Sequence, residues 1–311
     1  MSTTTDSILM IRPANFGFNP ETAENNAFQS DDKGESSKDI SEKARVEFDN
    51  MVDILKSKGV NIIVVEDTDS PKKTDAVFPN NWVSFHVNGA VITYPMFAES
   101  RRIERREDVI ESLKDTFDVK RRYTFEHYEE EGMFLEGTGS MLFDRDHKIA
   151  YACLSQRTDA RLIDKFCVLV EYDRVVFHAV DRNGLPIYHT NVMMALGEDF
   201  AVLCKESIHN PEELKQLEDV LSQTGKEVVD ISYDQMEAFA GNMLQVRNAI
   251  GNTFLVMSQT AYDSLNPAQI ETLSAKTELI PIDIETIEYY GGGSVRCMMA
   301  EVFLPKKKQI N

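Results

Sequence analysis

The sequence predicts an α/β protein, built as one closed domain of five ββα-type units. Two observations carry this. Stretches that read as helix, polar turn and β-branched strand recur five times, with strands centred on Ile62, Val119, Val175, Val228 and Ile280, at intervals of 57, 56, 53 and 52 residues. After each strand come a loop and a hairpin, and at the hairpin mouths stand Asn81, Glu136, His189, Asn242 and Cys297, spaced by 55, 53, 53 and 55. A fixed period of that size marks a repeated structural unit. Repeats that close on themselves bring equivalent positions around one axis. A thiol, an imidazole, a carboxylate and two amides then face a common centre, and these are the parts of a nucleophilic active site.

The elements follow in order. Ser7–Arg12 reads as a strand stopped by Pro13. Ala14–Lys38 is rich in Asn, Asp, Ser and Gly without a sustained period, so residues 14–38 form a long loop and a candidate lid. Ser41 can cap a helix that carries Ala44, Phe48, Met51, Val52 and Leu55 on one face and ends at Gly59. Ile103–Phe117, Ala160–Val168, Pro211–Gln223 and Pro267–Ala275 are the further helices. Val83–Val87 and Ala90–Tyr94 flank Asn88-Gly89, a strong hairpin signal. The later hairpins pair Met141–Phe143 with Ile149–Cys153, Val192–Leu196 with Phe200–Cys204, and Leu244–Val246 with Thr253–Met257. In the last unit, Val295–Phe303 has no second hairpin strand after it. Ser7–Arg12 is the strand left to pair with it, which would close the ring and remove exposed sheet edges. No linker separates two cores, so residues 1–311 read as a single domain.

Composition bounds the function. With 311 residues and 42% hydrophobic content the chain can bury a sizeable core. A net charge of −19 argues against nucleic acid as a partner, and most of the short basic runs read as solvated surface. Four cysteines show no CxxC and no metal spacing. Cys153, Cys167 and Cys204 lie in apolar runs and read as small core residues. That usage suits a reducing cytoplasm. The first six residues lack the charged start and apolar stretch of a signal peptide. No run approaches the roughly 18 apolar residues of a membrane span. The expectation is a cytoplasmic protein that acts on a small molecule without a membrane partner. The oligomeric state stays open, a homo-oligomer included.

Each mouth residue has a bland alternative. Cys297 follows Gly291-Gly-Gly-Ser-Val-Arg296, which alone reads as a flexible turn before a buried thiol; its register with the other four positions favours a nucleophile. His189 precedes an apolar run, at a strand mouth, and becomes a candidate acid/base once paired with that thiol. His86 and His178, inside strand runs, read as structural. Glu136 stands between Phe134-Leu135 and two glycines, a poor place for a solvated side chain. Asn80 and Asn81, beside the only Trp, are either turn residues or recognise a neutral group that both donates and accepts.

At this point the motifs resemble those of the guanidine-modifying, or pentein, superfamily, which includes arginine deiminases, dimethylarginine dimethylaminohydrolases and amidinotransferases. Gly291-Gly-Gly-Ser-Val-Arg-Cys297-Met is similar to the glycine-rich segment before the family's nucleophilic Cys. Leu135-Glu136-Gly137-Thr-Gly139 resembles its Glu-Gly-Gly-Asp, His189-Thr-Asn191 its His-x-Asp, and Phe78-Pro-Asn-Asn81 its Phe-x-x-Asp. The ordered set spans Phe78 to Met299. The resemblance implies a five-bladed ββαβ propeller and a covalent mechanism, in which Cys297 attacks, His189 moves protons and Glu136 orients His189. It implies no metal or other cofactor. It also implies an arginine that clamps the substrate carboxylate, at Arg101 or Arg102, and substrate contacts from Asn81 and Asn191; Asn80, beside Asn81, and Asn242, at its own mouth, are further candidate substrate contacts by position.

The departures point to the substrate. The deiminases place Asp where this chain has Asn81 and Asn191. A guanidinium there would lose charge-assisted hydrogen bonds, each roughly twice as strong as neutral ones. A neutral ureido group loses nothing by meeting amides. Arg12 to Gln29 also resembles a bacterial branch of citrulline-degrading hydrolases, the citrulline ureidases. The expected reaction is therefore citrulline to ornithine, ammonia and CO2. An arginine or dimethylarginine hydrolase is the alternative, and an amidinotransferase would need an acceptor site that the sequence does not show. A catalytically silent binding module would have been expected to lose the Cys or the His, and both remain.

Overall fold

The computed structural model describes residues 3–24, 26 and 28–307. The β-branched stretches pair into five three-stranded sheets with one shared plan: an antiparallel pair, then a helical crossover to a parallel third strand. A parallel connection needs such a crossover, whereas an antiparallel one needs only a turn. In chain order β1 is Ser7–Arg12 and β2 is Asn61–Glu66. The next sheet holds β3 (Val83–Phe85), β4 (Ala90–Thr93) and β5 (Arg121–Thr124). Then come β6 (Leu142–Asp144), β7 (Ile149–Cys153) and β8 (Asp173–Phe177). A further sheet holds β9 (Met194–Leu196), β10 (Phe200–Leu203) and β11 (Glu227–Asp230). The fourth along the chain holds β12 (Leu244–Arg247), β13 (Thr253–Ser258) and β14 (Glu278–Ile282).

The remaining sheet joins the two ends of the chain. The short strand β15 (Ala300–Glu301) pairs antiparallel with β1, Ile8 opposite Glu301 and Leu9 opposite Ala300, while β2 runs parallel on the other side of β1. The N-terminal strand thus supplies the partner that the last unit lacks, as expected. Central strands are the most apolar: β4, β10 and all of β1 but Arg12 are buried. The crossover helices, such as Ser37–Ser57, Ala160–Val170 and Pro211–Gln223, bury one face each against these sheets. Among the described residues no helix is long and apolar enough to cross a membrane.

Several boundaries differ from expectation, each for a local reason. The first long helix starts at Ser37, because Ser36 accepts from Asp39 N; Ser41 instead donates to Ala14 O at 3.1 Å. The helix expected over Ile103–Phe117 shortens to Glu107–Leu113, and a separate turn of helix, Glu99–Arg102, precedes it. Glu104, between them, is buried against Arg101 and interrupts the period. The strand centred on Val119 begins only at Arg121, after Lys120 N has bonded Gly89 O at 2.8 Å. Thr190–Met193 is a helical turn, so the strand expected from Val192 starts at Met194. Val295–Phe303 shrinks to Ala300–Glu301, because Cys297 N bonds Ser294 O at 2.9 Å and folds the segment around the thiol into turns.

Candidate active site

The five mouth positions share one structural place, immediately ahead of each antiparallel pair, and all five are buried. Asn81 ends a 3-10 turn, Pro79–Asn81, while Glu136 and His189 cap one-turn helices, Gly137–Ser140 and Thr190–Met193. His189 Nε2 and Glu136 Oε2 are 2.8 Å apart, and Glu136 Oε1 accepts from Phe97 N at 2.9 Å. The carboxylate is thereby fixed at both oxygens. Around the thiol, Asn242 Nδ2 lies 3.3 Å and Asn191 Nδ2 3.4 Å from Cys297 Sγ. Arg296 N donates to Asn242 Oδ1 at 3.1 Å, which leaves the Asn242 amide only one orientation, its N–H toward sulfur. The Arg296 guanidinium is engaged by Glu301 and Met299 O.

Gly139 stands where side chains of neighbouring units crowd together. A Cβ there would lie 2.5 Å from Asn81 Nδ2 and 2.8 Å from His189 Nδ1. Gly139→Ala should therefore displace both side chains and lower kcat/KM by about 10²-fold, the scale expected when a catalytic group shifts by about 1 Å. Wild-type kinetics in that variant would show that neither group needs its present place.

A small cavity opens onto this cluster. Its wall includes Asn81, Arg101, His189, Gly291 to Gly293 and Cys297, and also Asp75, Arg157 and Tyr188. Thr22, Asn26 and Gln29, from the segment expected as a lid, complete it. Gln29 Nε2 donates to Gly291 O at 2.9 Å, and Tyr188 Oη to Gly292 O at 3.0 Å, so the segment and Tyr188 hold the glycine-rich turn from two sides.

The structure separates the expected binding residues. Asn81 and Arg101 reach the cavity wall. Asn191 and Asn242 stand against the thiol and are not in that wall. Asn80 is fully buried outside it. Arg102 points elsewhere, its Nε on Met96 O at 3.1 Å and near Glu129, so of the adjacent pair only Arg101 belongs to the site. Arg101 is also no two-pronged clamp. Four of its five N–H groups already serve Glu104, Phe78 O and Asn81 Oδ1, which leaves one.

Asp75, Arg157 and Tyr188 escaped the sequence reading. For Arg157 the repeat held a signal. It follows β7 by four residues as Phe97 follows β4, and both reach Glu136, Arg157 Nη1 at 3.6 Å. Asp75 sits in a polar turn with no such register. Its Oδ2 accepts from Asn19 Nδ2 at 2.7 Å, and Arg101 Nε is 3.8 Å away.

Burial alone would raise the Glu136 carboxyl. Arg157, the His189 contact and Arg101 outweigh it and hold Glu136 at about 2. Burial pulls the His189 imidazole below its usual value against the pull of Glu136. Both shifts make acid unfavourable to the fold. Glu136 stabilises fully above its unfolded value of about 4.5, and that share drains as pH falls toward about 2. His189 begins to drain stability below about 6.5, because the unfolded chain takes the proton more readily. Glu136→Gln should therefore be less stable than wild type near neutrality yet lose less Tm between about pH 4.5 and 2. Parallel melting curves would contradict this.

Comparison with known proteins fixes the family. Residues 12–304 match the family described as N,N dimethylarginine dimethylhydrolase, eukaryotic. The chain belongs to this family. It is thus an enzyme of the guanidine-modifying pentein superfamily, a cysteine-dependent hydrolase of linear C–N bonds. Among solved structures, the product-bound N-terminal domain of ArgZ, an arginine dihydrolase from the Ornithine-Ammonia Cycle in Cyanobacteria, is similar at 17% identity and TM-score 0.72, covering 96% of this chain and 98% of that one. Unliganded AgrE is similar at 16% identity and TM-score 0.71, over 98% of this chain and 40% of its own. A dimethylarginine dimethylaminohydrolase adduct with S-methyl-L-thiocitrulline is similar at 16% identity and TM-score 0.64, over 96% and 99%. At these identities the three share the fold. No curated protein gives a significant match.

Proposed function

We propose that this enzyme hydrolyses the ureido group of citrulline to ornithine, ammonia and CO2, with Cys297 as nucleophile. We propose also that its five sheets are the blades of a closed propeller, the pairing of β1 with β15 joining last blade to first. One observation carries the substrate reading. Asn81 lines the cavity and its Nδ2 is a buried donor without a protein partner, while Arg101 Nη1, donating to Asn81 Oδ1 at 2.8 Å, prevents the amide from flipping. A ureido oxygen accepts from that N–H, whereas a guanidinium has only donors to offer it. Charge agrees: the ionic residues of the wall are Arg101, Arg157 and Asp75, two cations and one anion, a poor host for a third cation.

In the reaction, the thiolate of Cys297 attacks the ureido carbon, and the amides of Asn191 and Asn242 stabilise the sulfur by donating to it. His189, neutral at rest and aligned by Glu136, accepts the thiol proton and passes it to the departing amine. A carbamoyl thioester remains on Cys297. His189 then takes a proton from water, hydroxide displaces the sulfur, and the carbamate breaks down to ammonia and CO2. Arg157 is the guanidinium best placed for the α-carboxylate. Asp75 Oδ1, which lacks a hydrogen-bond partner, suits the α-ammonium. Residues 14–38 act as the lid over the bound amino acid.

A second reading is hydrolysis of arginine or dimethylarginine. The family description favours it, and so does Asp75 Oδ1, which could take a guanidinium N–H. Incubating the purified enzyme with citrulline, arginine and dimethylarginine in turn, and measuring ornithine, citrulline, ammonia and methylamines, separates the two. Ornithine from citrulline is the expected result. Turnover of a guanidino compound with citrulline left intact would overturn the ureido reading.

A further inference from the structure

A buried relay stands behind Asn81. Arg101 and Glu104 are each 3% exposed. Arg101 Nε donates to Glu104 Oε1 at 3.0 Å and lies 3.2 Å from Oε2, while Nη2 donates to Oε2 at 2.8 Å. The paired contacts fix the plane of the guanidinium. Nη2 also reaches Phe78 O at 3.3 Å, and Nη1 is left directed at Asn81 Oδ1. Guanidinium nitrogens only donate, so the amide atom facing Arg101 has to be oxygen. The amide nitrogen is thereby turned away from Arg101, toward Gly139, where it is buried without a hydrogen-bond partner beside the cavity that Asn81 lines.

We propose that Glu104 is a specificity-determining positioning residue: by holding Arg101 in plane it fixes Asn81 with its N–H toward the substrate, which selects a group that accepts over one that only donates. This rests on the ureido reading for its direction but not for its existence. Glu104 touches no substrate; it acts through two side chains. Without its carboxylate, the nearest remaining anion for Arg101 is Asp75, at 3.8 Å. A guanidinium that turns to Asp75 releases Asn81, and the freed amide can present either oxygen or nitrogen. Discrimination should then collapse while Cys297, His189 and Glu136 keep their places.

The test is a binding cycle on the Cys297→Ser protein, so that changes in turnover do not obscure it. Calorimetry gives Kd for citrulline and for arginine with Glu104→Gln, with Asn81→Ala, and with both. Glu104→Gln should lower the preference for citrulline at least about tenfold, and in the Asn81→Ala background it should add nothing further. A folded Glu104→Gln protein with unchanged preference overturns the proposal. So does an equal change with and without Asn81, which would mark Glu104 as merely structural. Should Glu104→Gln fail to fold, Glu104→Asp keeps the charge while withdrawing it from the Arg101 plane. It should show a smaller loss of preference, and a wild-type preference there also overturns the proposal. If the parent protein already prefers arginine, the ureido reading fails, and Glu104 is still judged by whether its effect on the ratio vanishes in Asn81→Ala.

Discussion

Cys297→Ser should abolish turnover, by at least about 10⁴-fold, while leaving the fold intact. The magnitude follows from what removal of a nucleophile costs where the groups act as a unit. The fold should survive because serine is nearly isosteric and can still accept from Asn191 Nδ2 and Asn242 Nδ2. The other thiols offer no substitute. Burial pushes Cys153 and Cys204 up to about 12 and Cys167 up to about 11, so each stays protonated near neutrality. Serine at Cys153 or Cys204 should instead act on stability and leave turnover in place, because neither thiol belongs to the site. Mass spectrometry of acid-quenched wild-type reactions should find the acyl adduct on the peptide carrying Cys297. A well-folded Cys297→Ser enzyme with wild-type rate, or an adduct on another cysteine, would sink the covalent mechanism.

Why Cys297 was legible in the sequence while Asp75 was not is a matter of what fixes each position. The thiol, His189, Glu136, Asn81 and Asn242 each precede the first strand of an antiparallel pair in a repeated unit, so their register is written in strand spacing. Packing the units then brings the positions together whatever lies between. Asn88-Gly89 and the caps of Pro211–Gln223 and Pro267–Ser274 were likewise readable, since turn and cap chemistry is local. Side-chain direction is not local. Arg101 and Arg102 are neighbours in one short helix, yet only Arg101 faces inward, because Glu104 and Asn81 wait there and Met96 O and Glu129 hold the other. Likewise, the strand expected over Val295–Phe303 looks continuous in hydrophobicity. A turn around the thiol overrides that pattern, as tertiary demands often override β propensity.

Asn81→Asp should move the substrate preference from citrulline toward arginine at least about tenfold, and Asn191→Asp should not move it. On sequence the two positions look equivalent, each an amide where related enzymes carry a carboxylate. Their surroundings differ. At position 81 a carboxylate would be paired by Arg101 Nη1, which now donates to Asn81 Oδ1 at 2.8 Å, and its second oxygen would replace the unpartnered N–H of this cavity-lining residue. A ureido oxygen would then meet an acceptor, and a guanidinium would gain one. A mismatched buried polar contact costs roughly 1–3 kcal/mol, and about 1.4 kcal/mol is one decade in rate. At position 191 the amide N–H points at sulfur, 3.4 Å from Cys297 Sγ. A carboxylate there removes a donor from the thiolate and adds a like charge beside it, so the attack slows for every substrate by a similar factor. The double variant should therefore combine a changed ratio with a low absolute rate. The deciding measurement is kcat/KM for citrulline and arginine on wild type and both single variants at one pH. If Asn191→Asp changes the ratio as much as Asn81→Asp does, Asn191 reads substrate charge directly, and the division between a substrate-facing amide and sulfur-facing amides is wrong.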